Sequence, residues 1–138
     1  MTPKELLSQA EVAMGCAYVP YSGFQVGAAL LGASGRVYLG CNIENAAYGP
    51  TNCAERTAVF KAVSEGERDF TAIAIVGGPG GELQGPCPPC GVCRQVLREF
   101  CRDDFPIYLR DRDGSVLTYT LSQLLPESFS GAQLTKED

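Results

Sequence analysis

Hydrophobic and polar positions repeat with two different periods along this chain, and the two periods separate its helices from its strands. In residues 3–16, apolar side chains such as Leu6, Leu7 and Ala10 recur at three- and four-residue spacing, which is typical of one helix face. Residues 70–76 are instead apolar or β-branched at nearly every position, which favours a strand buried on both faces. The predicted helices cover residues 3–16, 54–63 and 91–101, with a further helical turn at 121–125. The predicted strands cover residues 24–31, 36–41, 70–76, 106–110 and 115–119.

The order of these elements predicts an α/β fold with three layers. The first two strands are separated only by a turn at residues 32–35 and form a hairpin, whereas the later strands follow helices. We therefore expect an α/β/α sandwich around a mixed five-stranded central sheet. A chain of 138 residues falls within the usual size of one domain. Residues 1–138 are predicted to form a single domain with a flexible polar tail from about residue 131.

Residues 77–89 are rich in glycine and proline and interrupt the periodic pattern. A glycine-rich loop can hold a phosphate group through its backbone N–H groups, but the phosphate-binding motif ends in Lys followed by Ser or Thr. This stretch lacks that ending, so a flexible connection between two elements is the preferred interpretation.

The charge pattern excludes several classes of partner. The formal net charge is −5, and Lys and Arg occur only singly, so the chain lacks the basic stripe that phosphate backbones require. We therefore expect no nucleic acid as a partner. The first residues lack the charged start and apolar run of a signal peptide, and no apolar stretch is long enough to cross a bilayer. The sequence predicts a cytoplasmic protein with no membrane partner.

Seven cysteines are the feature that points to chemistry. In the cytoplasm thiols stay reduced, so clustered cysteines indicate a metal site or catalysis, and the odd number fits poorly with complete pairing. The two clusters are Cys53-Ala54-Glu55-Arg56 and Pro89-Cys90-Gly91-Val92-Cys93. Each lies at the predicted start of a helix, where unpaired N–H groups and a partial positive charge stabilise thiolates.

The spacing of these cysteines predicts a catalytic zinc site. Cys90 and Cys93 are three residues apart on one face of a first helical turn, and Cys53 supplies a third sulfur from the neighbouring helix. Three protein ligands leave the fourth tetrahedral position of Zn²⁺ open to water, which distinguishes a catalytic site from a structural one. Glu55 can take a proton from that water and deliver it to a leaving group, so we predict it as the catalytic residue.

Charge balance predicts further residues around this metal. Three thiolates and one divalent ion carry a net charge of −1, which weakens the ion as a Lewis acid. Arg56, together with Arg94 or Gln95, is predicted to offset that charge through hydrogen bonds to sulfur.

Two alternative interpretations use the same cysteines. The pairs Cys87/Cys90 and Cys90/Cys93 both match the C-x-x-C redox pattern, but redox chemistry leaves Cys53 and Glu55 without a role. A structural zinc site would instead use all four of these cysteines. Cys87 therefore stays open as a spare thiol or as an alternative ligand.

At these residues the sequence resembles the homotetrameric zinc-dependent cytidine deaminase family. The family signature of Cys or His followed by Ala-Glu, and then Pro-Cys-x-x-Cys, is matched by Cys53-Ala54-Glu55 and by Pro89, Cys90 and Cys93. Further family blocks are matched by residues 18–29, 42–45, 48–52 and 124–129. The resemblance implies one Zn²⁺ per subunit and hydrolytic deamination of free cytidine and 2′-deoxycytidine to uridine and 2′-deoxyuridine. Ammonia is released, and the reaction serves pyrimidine salvage.

The resemblance also implies which residues bind the nucleoside. In such enzymes the residues matching Asn42 and Glu44 hold the ribose hydroxyls, and the residue matching Phe24 packs on the base. The residue matching Ala54 contacts the base through its backbone N–H. Without the resemblance, we would interpret Asn42 as a turn residue and Phe24 as a core aromatic.

A third set of implied residues concerns neighbouring subunits. Tyr48 and Phe129 match positions at the rim of the pocket, with Phe129 reaching the substrate of a neighbour, and Tyr21 matches an intersubunit position. The resemblance therefore implies a homotetramer with shared active sites. From the sequence alone, Phe129 would be a staple within its own subunit.

Two other functions remain open at this point. A deaminase of a modified or antibiotic cytosine nucleoside would share the same cysteines and Glu55, and a zinc-stabilised binding module would lack catalysis. The sequence leaves open the preference between ribose and deoxyribose, the acceptance of modified cytosines, the source of the protein and its regulation.

Overall fold

A mixed five-stranded sheet forms the middle layer of the protein, whose computed structural model describes residues 1–135. Its strands are β1 (Phe24–Gly32), β2 (Val37–Cys41), β3 (Phe70–Pro79), β4 (Pro106–Arg110) and β5 (Val116–Thr120). They lie in the order β2-β1-β3-β4-β5. Only β3 and β4 pair in parallel, while the other three pairs are antiparallel.

Helices cover both faces of this sheet. They are α1 (Pro3–Met14), α2 (Ala54–Ser64), α3 (Gly91–Phe100) and the short α4 (Leu121–Leu124). Buried residues of α1, including Leu6 and Leu7, pack on the face that carries Ala29, while α2, α3 and α4 pack on the opposite face with Leu30. Because neighbouring strand residues point to opposite faces, both surfaces of the sheet are apolar. The predicted α/β/α sandwich with a mixed five-stranded sheet is confirmed.

The glycine-rich stretch after residue 76 differs from the prediction. Gly77 and Gly78 continue β3 and pair with Val26 and Gln25 of β1, so the connection begins only after Pro79. A Cβ atom at Gly78 would overlap the carbonyl oxygen of Glu82. Gly78 therefore lies in the strand at a point where the chain turns back so closely that a side chain would not fit.

Near the chain end, Gly131–Gln133 form a turn of 3₁₀ helix whose start is capped by Ser130. Residues 136–138 of the predicted tail lie outside the described residues. Within residues 1–135, no helix has both the length and the apolar character that crossing a bilayer requires.

A close contact between β2 and α2 places the start of α2 at one edge of the sheet. A Cβ atom at Gly40 would lie 2.6 Å from the backbone nitrogen of Ala58 and would also overlap the carbonyl oxygen of Ala54. Glycine at this position therefore lets the helix backbone lie directly against the strand. This contact fixes the position of Cys53 and Glu55, which lie at the beginning of α2.

Candidate metal centre

Two of the described helices directly follow a cysteine. Cys53 precedes α2 and Cys90 precedes α3, both residues have extended backbone conformation, and neither side chain caps its helix. The first N–H groups of both helices therefore lack a side-chain cap and add positive partial charge beside the sulfur atoms. This arrangement places both sulfur atoms where an anionic metal ligand is stabilised.

The sulfur atoms of Cys53, Cys90 and Cys93 form a group of the right size for zinc. All three lie within 4.8 Å of one another, and the Sγ atoms of Cys53 and Cys90 are 3.7 Å apart. Tetrahedral zinc with Zn–S bonds of about 2.3 Å requires its sulfur ligands to be about 3.8 Å apart. Thiolates are soft ligands that favour zinc over magnesium or calcium. The donor atoms therefore fit one Zn²⁺ ion.

Cys87 does not belong to this group. Its sulfur lies outside the set of ligand atoms within 4.8 Å of one another, although all seven cysteines are free thiols. The site therefore has three sulfur ligands and not the four of a structural zinc site.

Hydrogen bonds within the group separate the acidities of its thiols. The pKa of Cys53 is lowered to about 5, mainly by a hydrogen bond with Cys93 and further by hydrogen bonds with Arg56 and Cys90. The pKa of Cys93 is raised because this thiol shares a proton with Cys53 and is buried. Cys53 thus ionises before Cys93.

Arg56 lies where the charge balance requires a cation. Its Nη2 atom donates a hydrogen bond to the Sγ atom of Cys53 over 3.2 Å. Since Arg56 follows Cys53 by three residues, both side chains lie on the same side of the first turn of α2. The contact places positive charge directly on a ligand sulfur, as the sequence predicts.

The prediction that Arg94 or Gln95 would bind sulfur is wrong. Arg94 donates to the carbonyl oxygens of Pro89 (2.7 Å) and Leu124 (2.6 Å), and Gln95 donates to that of Phe129 (2.9 Å). Successive helix residues are rotated by about 100° around the axis. Because Cys93 takes the side that faces the sulfur group, the next two side chains point away from it and hold the loop and the C-terminal segment.

Glu55 is a buried carboxyl group beside the sulfur atoms. Only 4% of its surface is exposed, and the pKa of this group is raised to about 7, mainly by burial and further by the negative charge of Cys53. A carboxyl group with a pKa near neutrality can both accept and return a proton. Glu55 therefore has the acidity that the predicted catalytic role requires.

A cavity of about 140 Å³ lies in front of this carboxyl group. The residues that line it are Val26, Asn42, Cys53, Ala54, Glu55, Cys87, Pro88 and Cys90. The structure thus brings two of the three predicted metal ligands, the predicted catalytic residue and two of the predicted substrate contacts to one small cavity.

Asn42 is held by the backbone of β1. Its Oδ1 atom accepts a hydrogen bond from the N–H of Val26 (2.9 Å), and its Nδ2 atom donates to the carbonyl oxygen of Phe24 (2.9 Å). An amide group has two donor hydrogens and two acceptor lone pairs, so one of each stays available to a ligand. Asn42 therefore has both the structural role and the capacity for a binding role.

Glu44 lines a second cavity of about 270 Å³ together with Tyr21, Ser22, Tyr48 and Thr51. Its Oε1 atom accepts hydrogen bonds from the N–H groups of Tyr21 (3.0 Å) and Ser22 (3.1 Å). Hydrogen bonds from Ser22 and Tyr21 lower the pKa of Glu44. Asn42 and Glu44 thus line different cavities because each is held by a different backbone segment.

The remaining predicted aromatic residues lie at the surface of the single chain. Phe24 is 41% exposed, Phe129 is 57% exposed and Tyr48 is 78% exposed. Tyr21 and Tyr48 are in edge contact, with ring centres 6.5 Å apart. None of these four side chains lines the cavity in front of Glu55 within residues 1–135.

Comparison with known proteins identifies the family. The model of the cytidine and deoxycytidylate deaminase zinc-binding region matches residues 1–109. The chain belongs to the cytidine and deoxycytidylate deaminase family. This confirms the resemblance that the cysteine motifs indicate.

The similarity to curated cytidine deaminases extends over nearly the whole chain. It is 50% identical over 135 residues to the cytidine deaminase of Sporosarcina psychrophila, covering 98% of this chain and 96% of the relative. It is 52% identical over 134 residues to the cytidine deaminase of Halalkalibacterium halodurans, covering 97% of this chain and 98% of the relative. The crystal structure of cytidine deaminase from Burkholderia pseudomallei superimposes with a TM-score of 0.86 at 46% identity, covering 94% of this chain and 100% of that one.

Two residues of the small cavity in this deaminase carry no mark in the sequence pattern. Val26 comes from β1 and Pro88 from the loop before Cys90, and both line the cavity without any polar group to mark them. The available signals were local, since Val26 lies in a predicted strand and Pro88 lies two residues before a predicted ligand.

Removing single sulfur atoms tests the ligand set. We expect Cys53→Ala, Cys90→Ala and Cys93→Ala each to lose most of the bound zinc, because two sulfurs hold the ion poorly. Cys87→Ala is the matched control and should keep about one zinc per chain, since its sulfur lies outside the group. The measurement is elemental analysis of the purified proteins. A folded Cys87→Ala protein without zinc, checked by circular dichroism, would show that the ligand set is wrong.

Proposed function

We propose that this chain catalyses the hydrolytic deamination of cytidine and 2′-deoxycytidine to uridine and 2′-deoxyuridine, with release of ammonia, in pyrimidine salvage. The observation that carries the proposal is the buried Glu55 carboxyl group beside three metal-binding sulfurs in a cavity open to a small molecule. The similar proteins described above are cytidine deaminases, which supports the choice of substrate.

The chemistry requires a water molecule and a proton carrier. Cys53, Cys90 and Cys93 would hold a Zn²⁺ ion, which would supply a Lewis acid that makes water more acidic. Glu55 takes one proton from a water molecule and delivers it to N3 of the base while the water oxygen bonds to C4. It then transfers the remaining proton to the amino group, so that the C4–N bond breaks and ammonia leaves. Water is thus consumed, and Glu55 ends in its starting state.

Arg56 and the two helix starts support this chemistry by balancing charge. Three thiolates would otherwise make the metal electron-rich and the water less acidic. The 3.2 Å hydrogen bond from Arg56 to Cys53 draws electron density from one sulfur. This is the role that we propose for Arg56.

We propose that the nucleoside extends from the small cavity toward the surface. The backbone N–H of Ala54 contacts the base, and Phe24 packs on its ring. Asn42, through its remaining donor and acceptor, and Glu44 hold the ribose hydroxyls. Asn42 lines the cavity beside Glu55, which is consistent with a sugar that leaves the cavity at this side.

We further propose that the working unit is a homotetramer with shared active sites. Tyr21, Tyr48 and Phe129 are aromatic residues that are 54%, 78% and 57% exposed in the single chain. Large exposed aromatic side chains favour contact with another subunit. In this assembly Phe129 and Tyr48 complete the rim of a pocket, and Tyr21 lies between subunits.

The remaining proposals concern the chain as a whole. We propose that residues 1–138 act as one domain in the cytoplasm, with a nucleoside as partner and without nucleic acid. Three of its seven cysteines form a metal-binding group, which is typical of cysteines in a reducing compartment.

Replacing the proton carrier separates an enzyme from a binding module. We expect Glu55→Gln to keep about one zinc per chain and to lower kcat on cytidine by about a hundredfold or more, because the ligands are untouched. The measurements are elemental analysis and steady-state kinetics on the same sample. Near-normal turnover would refute the mechanism, and lost zinc would make Glu55 a ligand. A wild-type protein that holds zinc without deaminating any cytosine nucleoside would support the binding module.

Mixing two defective subunits tests the shared pocket. Glu55→Gln and Phe129→Ala proteins should each have low activity, and after subunit exchange a 1:1 mixture should recover roughly a quarter of wild-type activity. This fraction follows because half of the sites have an intact Glu55 and half of their neighbours have an intact Phe129.

A matched control uses two changes in the same cavity. A mixture of Cys53→Ala and Glu55→Gln proteins should recover no activity. Cys53 and Glu55 of one cavity come from the same subunit, so no subunit in a mixed tetramer has both residues intact. If proven subunit exchange between Glu55→Gln and Phe129→Ala gave no recovery, or if light scattering showed a fully active monomer, the shared pocket would be refuted.

A further inference from the structure

Cys87 lines the same cavity as Glu55 but is not a metal ligand. Its sulfur lies against β3, only 2.8 Å from the position that a Cβ atom would take at Gly77. The backbone carbonyl oxygen of Gln25 and a methyl carbon of Val26 are 3.0 and 3.1 Å from the same position. The side chains of Cys87 and Val26 line the cavity next to each other, and the backbone of Gly77 lies behind the Cys87 sulfur. We call these three residues the apolar wall.

The thiol of Cys87 behaves as an apolar group in this wall. Burial raises the pKa of Cys87 to about 11, and the negative charges of Glu55 and Cys53 act in the same direction. A protonated, buried thiol is a small apolar side chain with little hydrogen-bonding capacity. Cys87 therefore contributes volume and not charge to the cavity.

The loop that carries Cys87 has little freedom to move away from the cavity. Cys87 is followed by Pro88 and Pro89, whose rings fix the backbone angle φ. Arg94 also donates a 2.7 Å hydrogen bond to the carbonyl oxygen of Pro89. The apolar wall thus has a fixed position relative to the metal ligand Cys90.

The chemistry of cytosine determines which edge of the base meets this wall. N3, the C2 carbonyl oxygen and the amino group are polar, whereas C5 and C6 carry only hydrogen. Deamination requires C4 beside the metal and N3 beside Glu55, which leaves C5 on the opposite side of C4 from N3. Since a polar edge against apolar groups would lose its hydrogen bonds, the C5–C6 edge fits the apolar wall.

We propose that Cys87 is a specificity-determining residue that limits the room for a substituent on C5 of the base. This inference rests on the proposed deaminase function. A methyl group on C5 must share the space between the base and the Cys87 sulfur, and that sulfur is backed by β3 and cannot withdraw. The residue thus sets how well methylated cytosines are accepted in comparison with cytosine.

The test measures kcat/KM for 5-methylcytidine divided by kcat/KM for cytidine. This ratio is independent of the fraction of folded, zinc-loaded enzyme, because both substrates meet the same sample. Cys87→Ala should raise the ratio by about tenfold or more, the usual effect of making room for one methyl group in an apolar pocket. Cys87→Val adds bulk and should lower the ratio, whereas Cys87→Ser removes less volume than Cys87→Ala and should raise the ratio by less.

Cys101→Ala is the matched control, because this cysteine is buried in the core and lies outside the cavity. Its ratio should equal that of wild type. If Cys87→Ala and Cys87→Val both left the ratio unchanged while cytidine was turned over, this inference alone would be overturned. If the wild-type protein turned over no cytidine, the proposed function would fail and the inference with it.

Discussion

The meeting of three sulfur atoms at the starts of two helices is the arrangement on which the rest of the site depends. Cys53 and Cys90 are the residues that precede α2 and α3, so the same backbone groups that begin each helix also stabilise a thiolate. The close contact of Gly40 with α2 determines where the first of these starts lies. The metal centre is therefore a consequence of how the helices pack on the sheet.

This placement also explains the acidity of Glu55. Because Cys53 comes immediately before α2, the carboxyl group two residues later is turned into the protein and becomes buried. Burial and the nearby thiolate raise its pKa to about 7, while Arg56, one residue further, returns positive charge to the Cys53 sulfur. Four successive residues thus provide a metal-binding sulfur, a buried backbone at the helix start, a buried carboxyl group and a counter-charge.

The sequence predicted the parts of the structure that depend on local pattern, and missed those that depend on distant backbone. Helical periodicity located α2 and α3, and cysteine spacing identified the three ligands. The extension of β3 through Gly77 was missed because glycines resemble a loop until their pairing with β1 is known. Gln95 was misassigned because its partner, the carbonyl of Phe129, lies 34 residues away in sequence. The separation of Asn42 and Glu44 into two cavities likewise depends on distant backbone, since each side chain is held by a different segment.

A catalytic site here requires one zinc ion held by three cysteines, with one position open to a water molecule. Zinc K-edge X-ray absorption on the purified enzyme measures this coordination directly. We expect three sulfur atoms at about 2.3 Å and one oxygen atom at about 2.0–2.2 Å from the metal. Four sulfur atoms at about 2.3 Å, with Cys87 as the fourth, would leave no position for water and would rule out a catalytic zinc site.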